Sequence, residues 1–381
     1  MKRIRIVASL WRMLLMLAVS FLGIEILLIV TDPWLFKGAY QFDPELGFRY
    51  RAYHDGSNRF GFNDVDYSLE KPPAIFRLLV LGDSCNWAGG REGNYTALLE
   101  QRLEQHYGAH VVDVVNAGYP GTHTGAQLAL LKKYGLHYHP DLVVLGFSTG
   151  GDFCEADPVR RRIVLNGVLA DARGGFNMVL WGRPIVLRSR LVALLQAGWQ
   201  SLRESMRKRW GAGPQGTLSE ERFLDRERTL VTFCNLRRWQ AGVLDPRITY
   251  SLAGISDIKR MLSEHGIPLI VAIFPDELSA NDRFAQQVFS RLQLDPKDYV
   301  PDCVHSLLRT YLGTVGVPFI DLVEGFRSEE KDHDLYQFRD GHWNAAGNRL
   351  AADLLFERLL EIIEKQRRRN ERPSDGEATS Q

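Results

Sequence analysis

The sequence predicts an α/β fold: a doubly wound parallel sheet flanked by helices, with a mainly helical insertion and an N-terminal transmembrane helix. Three observations predict it. Near-continuous apolar runs such as "IFRLLVLGDS" are strands buried on both faces. Segments with helical spacing alternate with them, as a parallel sheet requires. A long apolar stretch follows a basic N-terminus.

In chain order, Lys2, Arg3, Arg5 and Arg12 form a basic segment, residues 1–12, before the apolar residues 13–31, "MLLMLAVSFLGIEILLIVT". That run has the ~20 residues a membrane span needs. The exit "TDPWLFKG" lacks the small-residue pattern of a cleaved signal peptide. An uncleaved anchor is expected, with its basic end cytoplasmic and the rest of the chain on the extracytoplasmic, periplasmic side. A buried N-terminal helix is the competing reading, disfavoured by the basic flank and the length. Glu25 is the one charge inside the run, costly in lipid unless neutralised or paired.

Residues 32–74 form a Gly/Pro/Asp-rich approach segment. The α/β domain is expected over 75–365, with strands in "IFRLLVLGDS", "HVVDVVNAG", "PDLVVLGF", "IPLIVAIFP" and "VPFIDL". The intervening helices include "NYTALLEQRLEQHYG", with Leu98, Leu99 and Leu103 near helical spacing and Gly108 as a stop, and "TGAQLALLKKYG". An insertion over 155–250 breaks the alternation and is expected to form a cap over the site. Asn166-Gly167 between short apolar runs signals a two-residue hairpin. "RSRLVALLQAGWQSLRESMRKRW" reads as an amphipathic helix, with Leu191, Leu194, Leu195, Leu202 and Met206 on one side and basic residues elsewhere. Its basic face suits anionic lipid or an acidic glycan; solvated cap helices look the same, and that plainer reading is favoured. "GAGPQG" is a joint, and the polar residues 366–381 read as a disordered tail.

The 381 residues carry a formal net charge of +1, which gives no argument for nucleic acid as a partner. The four cysteines, Cys85, Cys154, Cys234 and Cys303, lack CxxC spacing, so a zinc or redox motif is not indicated. Cys85 and Cys154 each follow a strand end and would pair if those strands are neighbours. His137 and His139 lack a third ligand for a metal.

The chemistry lies in two segments far apart in sequence. Gly82-Asp83-Ser84 ends a strand, and in an open parallel sheet ligands bind beyond the strands' carboxyl ends. "DGHWNAAG", residues 340–347, precedes the last helix. A serine needs a base to become a nucleophile, and a histidine needs an acceptor on its far nitrogen. Asp340, two residues before His342, can supply that acceptor; alternatively both only cap the helix. Trp87 and Trp343 flank the two segments and either stack on a sugar or wall the pocket. His123, in a glycine-rich loop, is a weaker substrate-contact candidate. Asp83 is assigned to holding the turn.

Together these blocks resemble the SGNH (GDSL-type) hydrolase superfamily, over most of residues 75–356. "LGDS" matches its first block, "NAGYPG" its second, "DLVVLGFSTGGDF" its third and "DGHWNAAG" its fifth. The compact Asp-x-His-Trp form, the anchor and "GFND" are similar to a subgroup near alginate O-acetyltransferase-like, membrane-anchored proteins. The resemblance implies a flavodoxin-like sheet and a serine esterase or O-acyltransferase acting on acetyl groups of a cell-envelope or extracellular polysaccharide, with room for envelope-assembly partners. It implies a Ser84–His342–Asp340 triad and an oxyanion hole built on the N–H groups of Ser84 and Gly118, and it requires neither metal nor cofactor. A lipid-directed esterase and a catalytically weakened glycan-binding protein are the rivals. One departure bears on all of this: Gly151 stands where the family's third block has an asparagine whose side chain donates to the oxyanion. The Gly151 N–H is the nearest replacement; Asn86 and Asn116 are the other stand-ins.

Overall fold

A computed structural model describes residues 2–35, 38–156, 162–165, 167–171, 176–180, 183–187, 189–191, 194–195, 199, 218–300, 302–331 and 333–371. The chain divides into two compact units, Met1–Arg51 with Arg160–Pro214, and Ala52–Val159 with Gln215–Gln381.

In the first unit, Lys2–Leu35 forms one helix, and its stretch Ser9–Thr31 is long and apolar enough to cross a membrane. Glu25 is paired: its carboxylate accepts from the Ser189 hydroxyl and from the backbone N–H groups of Arg190 (2.8 Å) and Leu191 (3.1 Å). The insertion predicted as mainly helical opens with two antiparallel hairpins, Arg162–Leu165 with Val168–Asp171 and Phe176–Leu180 with Arg183–Leu187. Gly167 makes the first turn at φ +73°, a conformation open to glycine, and its carbonyl accepts from Tyr40 N–H at 2.9 Å. Of the expected amphipathic helix, residues 190–191, 194–195 and 199 are helical; Leu202, Met206 and the "GAGPQG" joint lie outside the described residues.

The second unit holds the sheet. Its strands are β1 (Phe76–Gly82), β2 (Val112–Gly118), β3 (Leu142–Ser148), β4 (Leu269–Phe274) and β5 (Phe319–Asp321), all parallel, in the order β5-β4-β3-β1-β2. The helices that matter here are α1 (Tyr95–Tyr107), α2 (Thr124–Lys133), α3 (Glu220–Phe233), α4 (Pro246–Glu264), α5 (Asp282–Leu292), α6 (Cys303–Thr314) and α7 (Ala345–Glu371). β1, β2 and β4 are buried along their whole length and β3 up to its last residue, Ser148, which explains the unbroken apolar runs. Alternate residues, including Leu78, Val80, Val114, Val144, Ile270 and Phe274, share one core with Leu99 and Leu103 of α1 and Leu355 and Leu359 of α7. On the other face α2 packs against α4, and the Thr124 hydroxyl donates to the Ser251 carbonyl at 2.9 Å.

The chain leaves β1 for β2 on one side and returns to β3 on the other. Order reverses between β1 and β3, so the crevice beyond their carboxyl ends is the expected binding place. Two sequence readings change. α7 runs on through Glu371, so residues 366–371 are helical and not part of a loose tail. The disulfide joins Cys234, just after α3, to Cys303, the first residue of α6, with Cα atoms 5.5 Å apart. Cys85 and Cys154 are free thiols, and burial pushes both up, Cys154 to about 12.

Candidate active site

β1 stops at Gly82 and the chain turns at once into a short 3₁₀ segment, Ser84–Asn86. Asp83 caps that turn, its Oδ1 accepting from Cys85 N–H at 2.9 Å. Gly82 and Gly118 stand side by side in register at the ends of β1 and β2. The Asn86 side chain fills the notch above them, so a Cβ on either glycine would overlap it. Asn86 is wholly used there. Its Nδ2 donates to Asn116 Oδ1 (2.9 Å) and its Oδ1 accepts from Tyr95 OH (2.7 Å). Asn116 Nδ2 donates in turn to the Asn86 and Asn63 carbonyls at 2.8 and 3.2 Å. These two asparagines brace the turn from beneath and are not stand-ins for the missing donor.

His342 arrives on the turn before α7. Gln337 N–H donates to the His342 carbonyl at 2.8 Å, Asp340 N–H to the Gln337 carbonyl at 3.2 Å, and Asn344 N–H to the Leu335 carbonyl at 2.8 Å. Arg339 and Gly341 both take left-handed φ, +51° and +85°. This brings Asp340 and His342 to the same edge. Asn344 Oδ1 caps α7, accepting from Ala346 and Gly347 N–H. His342 Nε2 lies 2.7 Å from Ser84 Oγ, and Nδ1 bonds Asp340 Oδ1. A carboxylate can only accept, so Nδ1 carries the hydrogen and Nε2 is left to accept from the serine hydroxyl. The Asp340 side chain is 10% exposed and that of His342 32%, an arrangement open to a substrate.

The opposite edge differs from the sequence expectation. Gly118 N–H points to Asn116 Oδ1 at 3.2 Å, and Gly151 N–H donates to Ser148 Oγ at 3.0 Å. The space a side chain at 151 would enter is taken by the Asp83 carboxyl. Asp152 fixes this loop, accepting from Ser148 N–H (2.8 Å) and Gln127 Nε2 (2.9 Å). Burial raises the carboxyls of both Asp83 and Asp152, and the neighbouring Asp83 charge raises Asp152 further. Asp152 and Gln127 were not singled out in the sequence; the acidic residue of "GGDF" was the available signal.

Trp343 does not face a ligand. It is 2% exposed and packs on Tyr95, Phe274 and Phe326. Extended backbone alternates its side chains, so a histidine turned to the cleft sends the next residue into the core. Trp87 is half-buried and its Nε1 donates to the Gly118 carbonyl at 2.9 Å. His123 caps α2, its Nδ1 accepting from Gly125 N–H at 3.2 Å, with its ring edge-on to Tyr250. No cluster of three or more metal-ligating side chains occurs among the described residues.

Residues 237–378 match the family model described as "SGNH hydrolase-like domain, acetyltransferase AlgX". The fold and this match make the chain similar to SGNH hydrolases on the AlgX-like side, a class of acyl esterases and acetyltransferases. Among solved structures, the chain is similar to the acetyl xylan esterase AlAXEase (16% identity, 74% of this chain, all of that one, TM-score 0.38). It is also similar to a lipase/acylhydrolase from Enterococcus faecalis (13%, 76% and 97%, 0.35) and to the esterase EstA of a Pseudoalteromonas species (11%, 76% and 98%, 0.35). No curated protein matches the sequence.

Proposed function

We propose that the protein is a serine-dependent acyl-ester hydrolase or O-acyltransferase, acting on acetyl groups of an extracytoplasmic polysaccharide through an acyl-serine intermediate. One observation carries the reading: the hydrogen-bonded chain from Ser84 Oγ through His342 to Asp340, assembled from segments 258 residues apart. Ser84 Oγ bonds to the acyl carbonyl carbon while its proton passes to His342 Nε2. Asp340 holds the imidazolium that results. The tetrahedral intermediate collapses, His342 returns the proton to the departing alkoxide oxygen, and acyl-Ser84 remains. Water or a sugar hydroxyl then gives a proton to His342 and attacks the acyl carbon. Ser84 leaves with the proton back on Oγ.

The N-terminal helix supports anchoring in a membrane, and its basic leading residues support an extracytoplasmic catalytic unit. The Cys234–Cys303 disulfide, which persists in oxidising compartments, supports the same side. The acetyltransferase match supports acetyl as the acyl group.

The test is hydrolysis of 4-nitrophenyl acetate by the full chain in detergent, with an acetylated glycan as the second substrate. Ser84→Ala and His342→Ala should each lower kcat by at least ~10³-fold, as loss of a nucleophile or its base does. Substantial turnover by Ser84→Ala would remove the assignment. Preference for long-chain over acetyl esters would move the substrate to lipid.

A further inference from the structure

Of the oxyanion donors expected from sequence, the Ser84 N–H alone is left without an acceptor among the described residues. Gly151 brings no side chain, its N–H is held by Ser148, and the Gly118 N–H is held by Asn116. Substituting asparagine at 151 would not repair this, because the Asp83 carboxyl fills that space. A different group stands between that edge and the turn that carries His342. Arg226, from α3, lays its guanidinium against Gly341, the residue between Asp340 and His342: a Cβ there would overlap Cζ and both Nη atoms. Its Nη2 also lies 3.2 Å from where a Cβ of Gly150 would be. The guanidinium thus touches both loops that flank the Ser84–His342 pair, and glycine at 150 and 341 is what admits it.

Its hydrogen-bonding capacity is largely unspent. Nη1 donates to Glu227 Oε1 at 2.8 Å, and Nε and Nη2 have no acceptor among the described residues. The side chain is 25% exposed, so three-quarters of it is shielded from the water that would otherwise satisfy those donors. α3 is also tied to the catalytic turn. Leu218 N–H donates to the Arg339 carbonyl at 3.3 Å, Glu220 pairs with Arg339 at 2.9 Å, and the disulfide anchors the far end of the helix. Glu227, 1% exposed, balances the charge that burial would otherwise disfavour.

We propose that Arg226 is a catalytic residue of this site, its guanidinium donating to the oxyanion in place of the asparagine that Gly151 replaces. The inference rests on the serine acyl-transfer reading. A charged planar donor makes shorter and stronger hydrogen bonds to an oxyanion than an amide does, so one arginine can replace the missing group. The alternative is that Arg226 serves only as the structural partner of Glu227.

The experiment compares wild type, Ser84→Ala, Arg226→Ala and Arg226→Lys as full chains with 4-nitrophenyl acetate. Arg226→Ala should lose about 10²–10³-fold in kcat with KM little changed, the usual cost of one oxyanion donor. Added guanidinium ion, below denaturing concentration, should restore part of that loss, and an equal concentration of sodium chloride should not. Arg226→Lys, which keeps the charge and guards against misfolding of the alanine variant, should also lose kcat, because ammonium lacks the planar fork. The proposal is overturned if either folded variant keeps kcat within about threefold of wild type, or if the loss falls on KM and guanidinium restores nothing. Should Ser84→Ala be as active as wild type, the serine reading itself has failed, whatever Arg226 does.

Discussion

The two edges of the site are built in opposite ways. The base edge, residues 335–344, is nearly self-contained: its backbone hydrogen bonds close within ten residues, and two left-handed positions aim Asp340 and His342 together. The oxyanion edge, residues 116–118 and 148–152, depends on distant groups. Asn86 and Gln127 hold its Asn116 and Asp152 side chains, and the Asp83 carboxyl and the Arg226 guanidinium fill the space beside Gly151 and Gly150. A proton relay needs only two or three atoms in line, and a short turn can supply that. A place for negative charge needs several converging donors, and convergence is a tertiary property.

The hardest way to break the comparison is to spoil the base edge without moving it. Asp340→Asn keeps shape but presents an amide to Nδ1, which favours the wrong histidine tautomer. The kcat should fall about 10⁴-fold, as in other serine–histidine–aspartate sites, with little change in melting temperature. A small drop, measured on the same acetate ester, would mean that Asp340 only shapes the turn.

Next in size is Trp343, where the base edge meets the core. Trp343→Ala should cost about 3–5 kcal/mol of stability, the usual cost of emptying a large aromatic site. Trp343→Phe should keep glycan KM near wild type, because the indole touches Tyr95, Phe274 and Phe326 rather than a ligand. A selective rise in KM with the glycan, measured beside an unchanged KM for the small ester, would return Trp343 to the binding site.

The difference between the edges also explains what the sequence made legible. Strand runs buried on both faces announced the parallel sheet, and Asp340-x-His342 announced a hydrogen-bonded histidine–aspartate pair, because each signal is local. The direction of Trp343 was left open between ligand and pocket wall, and the structure turns it into the core. The disulfide was not: Cys234 and Cys303 lie 69 residues apart and meet only because α3 ends against α6. Arg226 left a faint trace. Phe223, Glu227, Leu230 and Val231 form one buried helical stripe, and a glutamate on such a stripe needs a cation nearby. Nothing in the spacing of residues 226 and 341 says that they touch.

Gly341 is where the edges press on each other, so Gly341→Ala sharpens the contrast. The new methyl meets the Arg226 guanidinium, and φ +85° strains any residue with a Cβ. Stability should fall by about 1–3 kcal/mol, the common cost of overpacking. In an Arg226→Ala background only the backbone strain remains, so the same substitution should cost less. Equal costs in both backgrounds, by chemical denaturation, would show that the guanidinium does not bear on this turn.

The smallest effect concerns the carboxyls around Arg226. Burial, followed by the Glu227 and Glu330 charges, pushes Glu277 up to about 8; burial, partly offset by Arg226, pushes Glu227 to about 7. A carboxyl with a raised folded value holds its proton more tightly when folded than when unfolded. Its contribution is complete below about 4.5 and is lost as pH rises toward about 8. The melting temperature should therefore fall between pH 5 and pH 8. Glu277→Gln removes one of the titrating groups and should flatten that fall, stabilising the protein at pH 8 by on the order of 1–2 kcal/mol. The gain is only part of the full linkage, because Glu227 and Glu330 still titrate in the same neighbourhood. Parallel thermal profiles for Glu277→Gln and wild type would show that the buried acids behind Arg226 are not the source of the slope.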